Sequence, residues 1–318
     1  MIRVQTYNES LKEDWNKFVV QANNSTLLHQ RDYMDYHADR FKDASLLFYN
    51  DRNKLVALFP ACISNNTPAT IASHQGLTYG GLIIPPHTHT YIIEEVYDAL
   101  ISHYKTQGVQ QLTITPIPYI YATCPCQEEL YIINHKSGKL INRALSQTIK
   151  LSEPIETSSL RRRCIAKAKK NNLCIAEATK QQEWQIFYNI LWDVLKNRHN
   201  TTPVHSFNEL WLLHSKFPQH IRLFVAVRDL QIIAGSVVYL SKNVAHTQYL
   251  ASSPSGFEIG ALDLVIDFLI KTCQNAKYKY LDFGVSTERD GSLNHGLTLQ
   301  KEGFGGHGVC YDTYSIEL

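Results

Sequence analysis

Short stretches of alternating apolar and polar residues are separated along this chain by stretches of helical spacing, and the two kinds follow one order twice. In the first half the pattern predicts a strand at residues 2–6, a helix at 11–21 and a second helix at about 32–40. Strands at 45–49 and 55–63 follow, split by a polar turn at 50–53, with a third strand near 70–73. A glycine-containing loop at 74–81 leads to a helix near 91–104, a strand at 111–115, a short helix near 127–133 and a strand at 139–150. Ser10 with Glu13 three residues later reads as a capping box for the first long helix.

The second half repeats this order. A basic helix at 158–170 leads into a strand at 173–177, a long helix at 181–198 and a helix at 206–215, the last opened by a second capping pattern, Ser206 with Glu209. Strands at 221–227, 232–240 and 244–251 come next, then a helix at 259–273, a strand at 278–283, a short helix near 293–302 and a strand at 309–316. Two strings of β-α-α-β-β-β-α-β-α-β, about 170 residues apart, predict an internal duplication. The expected boundaries are 1–150 and 151–318. Regular βαβα alternation is missing, so the expectation is an α+β chain with mixed sheets flanked by helices.

Composition narrows the classes. Of 318 residues, 44% are hydrophobic and 19% charged, which makes a core and excludes a disordered chain. A net charge of +2 gives no bulk signal for nucleic acid. The first ten residues lack the apolar centre of a secretory signal, and no apolar run approaches the ~20 residues of a membrane helix. The best run, 261–270, is broken by Asp263 and Asp267. Seven cysteines without regular spacing suit a reduced, cytoplasmic setting. Cys124 and Cys126, even with His135 nearby, do not make a zinc pattern, and no metal is expected.

The element order resembles the GNAT acyltransferase fold in tandem, as in the FemABX-type aminoacyltransferases and the Fem-like (BioF2-like) acetyltransferases. The likeness is strongest near the C-terminus, where Leu281-Asp282-Phe283-Gly284 falls on that family's "yDfG" strand. Lys301 falls on its motif lysine, and Phe304-Gly305 on its Phe-Gly. Gln300 stands where an aromatic residue is usual. The resemblance implies transfer of an acyl or aminoacyl group to an amine, by direct attack without a covalent enzyme intermediate. The implied acceptor is an amino sugar or peptide of a cell-envelope precursor, or another small molecule. The implied donor is acyl-CoA or aminoacyl-tRNA, which would make tRNA a partner. Most GNAT chains hold pyrophosphate with Q/R-x-x-G-x-G/A before the third helix; this chain reads Ser255-Gly256-Phe257-Glu258-Ile259-Gly260-Ala261 there. Two rival readings are an acetyl-CoA-dependent small-molecule N-acetyltransferase and a non-catalytic ligand-binding tandem module. The first half is expected to be a degenerate copy.

Candidate catalytic residues are Lys301, a fixed positive charge for an oxyanion or phosphate, and Asp282, a base or a loop cap. His205 can serve as base, and the strand residues His246 and Gln248 form a pair that unbroken alternation sets on one face, with Tyr249 on the other. Candidate substrate contacts are Arg198, His199, Tyr79, Gly80, Gly81, Tyr249 and Phe304. Candidate donor or phosphate contacts are Arg161, Arg162 and Lys167 of the basic helix, with Gly256 and Gly260. Each has a plainer alternative: a solvated cation, a packed aromatic or a tight turn.

Overall fold

The computed structural model describes every residue but Arg289, and the side chains of all the others except Arg198 and His199. The chain forms two compact units, Met1–Ala144 with Cys310–Leu318, and Leu145–Val309. We call them unit 1 and unit 2.

Unit 1 begins with β1 (Arg3–Thr6), α1 (Lys12–Gln21) and a single turn of α2 (Arg31–Met34). There follow β2 (Leu46–Tyr49), β3 (Leu55–Phe59), β4 (Cys62–Ile63), β5 (Thr70–Ala72), α3 (Thr90–Thr106), β6 (Gln111–Ile114), α4 (Glu128–His135) and β7 (Lys139–Lys150), whose end passes into unit 2. Strands β1-β2-β3 make one antiparallel sheet. Helix α3 buries Ile93, Val96, Tyr97, Leu100 and Tyr104, a helical stripe, in a core shared with Phe48 and Phe59. Trp15 and Val19 of α1 pack with Leu47 and Leu58, the residues that alternate with that first core.

Unit 2 continues with α5 (Ser159–Lys170), β8 (Cys174–Ala178), α6 (Gln181–His199), α7 (Phe207–Lys216), β9 (Ile221–Arg228), β10 (Gln231–Leu240) and β11 (Val244–Ser252). Then come α8 (Pro254–Ile259), α9 (Ala261–Asn275), β12 (Tyr280–Val285), α10 (His295–Glu302) and β13 (His307–Glu317), whose last residues return to unit 1. The strand order within unit 2 is β7-β12-β11-β10-β9-β8, antiparallel except for β11 with β12. In unit 1, β4-β5-β6 continues to the end of β13, and β5 with β6 is the parallel pair. A parallel pair needs a crossover, which α3 supplies in unit 1 and α9 in unit 2.

Helices cover both faces of the unit 2 sheet. Leu264, Val265 and Leu269 of α9 share a core with Ala234 and Val238 of β10. Gly235, between those two, faces the other way: a Cβ there would sit 2.8 Å from the Phe187 ring of α6. Phe187 is fully buried, a contribution of about 2–3 kcal/mol.

The expected α+β class and the tandem order are what the chain adopts. Four local expectations change. The helix expected over 32–40 is only α2 and one tighter turn, Asp35–His37, because Asp35 and Asp43 both pair with the buried Arg31 and draw the chain round. The strand expected over 55–63 breaks at Pro60, which has no N–H for the ladder, and β3 and β4 join different sheets. The helix expected over 259–273 is split at Gly260 (φ +76) into α8 and α9. Ser10 does not cap α1; Asn8 accepts the Ser10 amide and opens a 3-10 turn, Glu9–Leu11. The Ser206–Glu209 box does form, with the Ser206 amide donating to Glu209 at 2.7 Å.

Candidate active site

Strands β11 and β12 run side by side for three rungs, Val244↔Tyr280, Ala245↔Leu281 and His246↔Asp282. There the pairing stops, although β11 continues to Ser252 and β12 to Val285. Beyond the last rung the strands part, and a cavity of about 520 Å³ opens. Leu250 and Ala251 of β11 and Phe283 of β12 form its walls, with Phe304, Leu262 and Ile266 around them. Its charged groups include Arg161 of α5 and Asp263 in the first turn of α9, which are paired at 2.9 Å.

The last rung is also a side-chain pair. His246 Nδ1 lies 2.8 Å from Asp282 Oδ2, and Asp282 is fully buried. Its other oxygen accepts from Ser146 Oγ, from Thr148 Oγ1 at 2.9 Å and from the Gly284 amide at 3.2 Å. Four hydrogen-bond partners thus surround this one buried oxygen pair. With Nδ1 donating to this carboxylate, the neutral ring carries its hydrogen there and leaves Nε2 as the acceptor nitrogen. Gly284 lies against this ring: a Cβ there would sit 3.1 Å from His246 Cε1, and its φ of +74° also favours glycine. Leu281 and Phe283 alternate with Asp282 and belong to the α9 core, so the Asp282–His246 pair occupies the face covered by α6.

Unbroken alternation would put His246 and Tyr249 on opposite faces. The structure has a β-bulge instead: Val238 pairs with Thr247 and Val237 with Tyr249, leaving Gln248 as the extra residue. The bulge resets the alternation, so Tyr249 shares the α6 face with His246. Tyr249 Oη meets Nδ1 of the buried His205 at 2.7 Å, and Tyr188 of α6 donates to the His205 carbonyl at 3.2 Å.

Lys301 is buried on α10, and its ammonium donates to Gly284 O (2.7 Å), Val285 O (3.0 Å) and Ser286 Oγ (2.8 Å). These three bonds use its three protons. Burial pulls its pKa down to about 8, against an opposing pull from Asp282. In this geometry Lys301 holds the end of β12 in place.

The other candidates fall in several places. Phe304 is buried at the cavity, with the Arg161 guanidinium 5.6 Å from its ring centre. A Cβ on Gly260 would come within 2.6 Å of Cys164 O, and one on Gly256 within 2.6 Å of Ile233 O, so both glycines serve close backbone packing. Arg162 and Lys167 are exposed. Tyr79 is buried in unit 1 against Tyr121 and His29. Gly80 and Gly81 beside it are filled by Ser73 O and the Glu129 carboxylate. Arg198 and His199 lie outside the residues whose side chains are described. Ser146, Thr148 and Gln147 were missed from the sequence; the polar run Ser146-Gln147-Thr148 inside an otherwise apolar strand end was the available signal. Among the described residues no group of three or more metal-ligating side chains comes together, and no helix is long and apolar enough to cross a membrane.

Residues 159–290 match the acetyltransferase (GNAT) domain family. The solved structure of FemX superposes with a TM-score of 0.71 at 9% identity, covering 99% of this chain and 97% of FemX. L-PGS from Bacillus licheniformis gives 0.64 at 10% identity, covering 97% of this chain and 91% of that one. A tandem GNAT protein from the clavulanic acid biosynthesis pathway gives 0.55 at 8% identity over 100% and 98%. No curated protein matches in sequence. The fork between two parallel strands, its crossover helix and the repeat of the whole order give this chain the fold of the tandem GNAT structures, and residues 159–290 carry its match to the acetyltransferase (GNAT) domain family.

Proposed function

We propose that unit 2 transfers an acyl or aminoacyl group to a primary amine by direct attack. The observation that carries this reading is the Asp282–His246 pair on the last rung before β11 and β12 part. The amine must lose a proton to attack. His246 Nε2 takes it, and the Asp282 carboxylate stabilises the imidazolium that results. The developing oxyanion is met by backbone N–H groups of β11 beyond the fork. The amine nitrogen forms its bond to the acyl carbon, the carbonyl reforms, and the donor's thiolate or ribose oxygen leaves with its electron pair. Ser146 and Thr148 position the carboxylate. The His205–Tyr249 pair on the same face orients the acceptor.

The apolar cavity suits an acyl chain or the thioether arm of a thioester donor. Asp263 at the start of α9 disfavours a pyrophosphate there, which gives weight to aminoacyl-tRNA beside acyl-CoA. The Fem-like resemblance points to an amino-sugar or peptide amine of a cell-envelope precursor as acceptor. The deciding experiment is a thermal-shift and transfer panel with acetyl-CoA, longer acyl-CoAs and aminoacyl-tRNA, run on the native chain and on His246→Ala. A donor that raises the melting temperature of both proteins, with turnover reduced about 10²–10⁴-fold in the variant, supports the reading. Full turnover by the variant would sink it.

A further inference from the structure

A second cavity, of about 490 Å³, lies wholly in unit 1, where β5 and β6 part beyond their last rung, Ala72↔Thr113. It is within the size range of ligand pockets. None of its lining residues is Asp, Glu, Lys or Arg. The polar groups are hydroxyls, amides and one imidazole, and the apolar walls include Phe41 and Leu77.

The imidazole is that of His74. It is buried and has φ +66°, a conformation a non-glycine residue adopts at a cost. Bonds from Ser73 N to Thr113 O (2.8 Å), His74 N to Ala72 O (2.7 Å) and Leu77 N to His74 O (2.9 Å) hold it there. Its Nδ1 accepts the Gly76 amide at 3.3 Å, which leaves Nε2 to carry the proton and donate. The ring stacks on His37 at 5.3 Å, and Phe41 lies 5.7 Å away. A Cβ on Gly76 would come within 2.3 Å of His37 Nε2, so only glycine lets this aromatic wall form. Burial, reinforced by His37, pushes the His74 pKa down to about 3, so the ring stays neutral at physiological pH.

Around this donor the structure sets further groups with hydrogen-bonding capacity to spare. Asn65 donates through Nδ2 to Arg40 O, and its Oδ1 has no partner among the described residues. The Thr113 hydroxyl and the Asn66 side-chain amide likewise have none. Uncharged donors and acceptors beside an aromatic and an aliphatic wall match a ring that carries hydroxyls on its edges and C–H groups on its faces. They offer no positive charge to a phosphate or a carboxylate.

We propose that the unit 1 fork is a binding site for a neutral pyranose sugar. Its occupancy requires no acyl donor and does not depend on the chemistry assigned to unit 2.

The test uses the full chain with glucose, galactose, mannose and N-acetylglucosamine, read by saturation-transfer NMR and calorimetry, with glucose 6-phosphate as the anionic control. At least one neutral sugar is expected to bind in the millimolar range, more tightly than the phosphorylated one. Thr113→Val and Asn66→Ala should each weaken that binding by about tenfold, the loss of one or two hydrogen bonds, with unchanged melting temperatures. Silence from all four sugars at tens of millimolar overturns the proposal. So does binding that neither substitution alters, or a preference for the phosphorylated sugar.

Discussion

The parallel pair of unit 2 and the parallel pair of unit 1 each run three rungs and then part, yet they end on different chemistry. In unit 2 the last rung is His246↔Asp282, and β11 goes on for residues 247–252 with its edge open to the cavity. In unit 1 the last rung is Ala72↔Thr113, and β5 ends there. The next residue, Ser73, donates its amide to Thr113 O and accepts the Thr115 amide on its hydroxyl, and Gly80 then donates to Thr115 O. Those bonds occupy the backbone groups that an oxyanion would need. One topology thus supplies an open fork with a buried carboxylate–imidazole pair, and a closed fork with an uncharged pocket. Topology places the cleft; the residues on the final rung decide what it can do.

That contrast can be broken most severely at Asp282. Asp282→Asn keeps the shape but offers His246 Nδ1 an amide, so the imidazole loses its fixed tautomer. Turnover should fall about 10²–10⁴-fold in a steady-state assay, whereas Ser73→Ala in unit 1 should leave it unchanged.

A second difference is electrostatic. Burial lowers His29 to about 4 and His74 to about 3, and raises Glu129 to about 7, all in unit 1. The histidines contribute stability that is present above their unfolded value near 6.5 and is lost as pH falls below it. Glu129 does the reverse: its contribution is complete below about 4.5 and is lost as pH rises toward 7. Between pH 5 and 6 unfolding therefore takes up two histidine protons and releases one from Glu129. Unit 1 should lose about 1.4 kcal/mol per pH unit on acidification, and Glu129→Gln should steepen this to about 2.7. Urea titrations at successive pH values measure both slopes.

Lys301→Met removes the ammonium that joins Gly284 O, Val285 O and the buried Ser286 Oγ at the unit 2 fork and should cost about 1–3 kcal/mol in urea unfolding, while lowering turnover much less than Asp282→Asn does. Equal losses of turnover would instead make Lys301 a catalytic group. Gly260→Ala forces a Cβ into a left-handed turn beside Cys164 O and should cost about 2 kcal/mol in urea unfolding while leaving turnover unchanged, since the fork's rungs stay intact.

The repeated order was legible because long helices such as α6 and α9 and the long strands β7 and β10 carry clear periods. Pro60 and Gly260, which punctuate their elements, are explicit in the sequence, but their effect on a sheet or a helix is decided by what they pack against. The site was half legible. Asp282 and His246 stood out as polar residues in apolar strands, yet their contact joins residues 36 apart through a parallel pairing that no local pattern encodes. The bulge at Gln248 was invisible, since a single extra residue leaves the alternating pattern plausible on either side. Lys301 drew attention as a charge, and its role as donor to three groups depends on burial that only the fold reveals.

Unit 1 is not continuous along the chain: it takes Met1–Ala144 and then Cys310–Leu318, with all of unit 2 between them. Its β6 finds its partner in β13, through Tyr314↔Ile114 and Ile316↔Leu112. During synthesis on a ribosome, Met1–Ala144 therefore waits for a segment made after the whole of unit 2, which has all its residues by Val309. Nascent unit 1 spends that interval with the edge of β6 uncovered, an exposure to mispairing that a chaperone would have to guard.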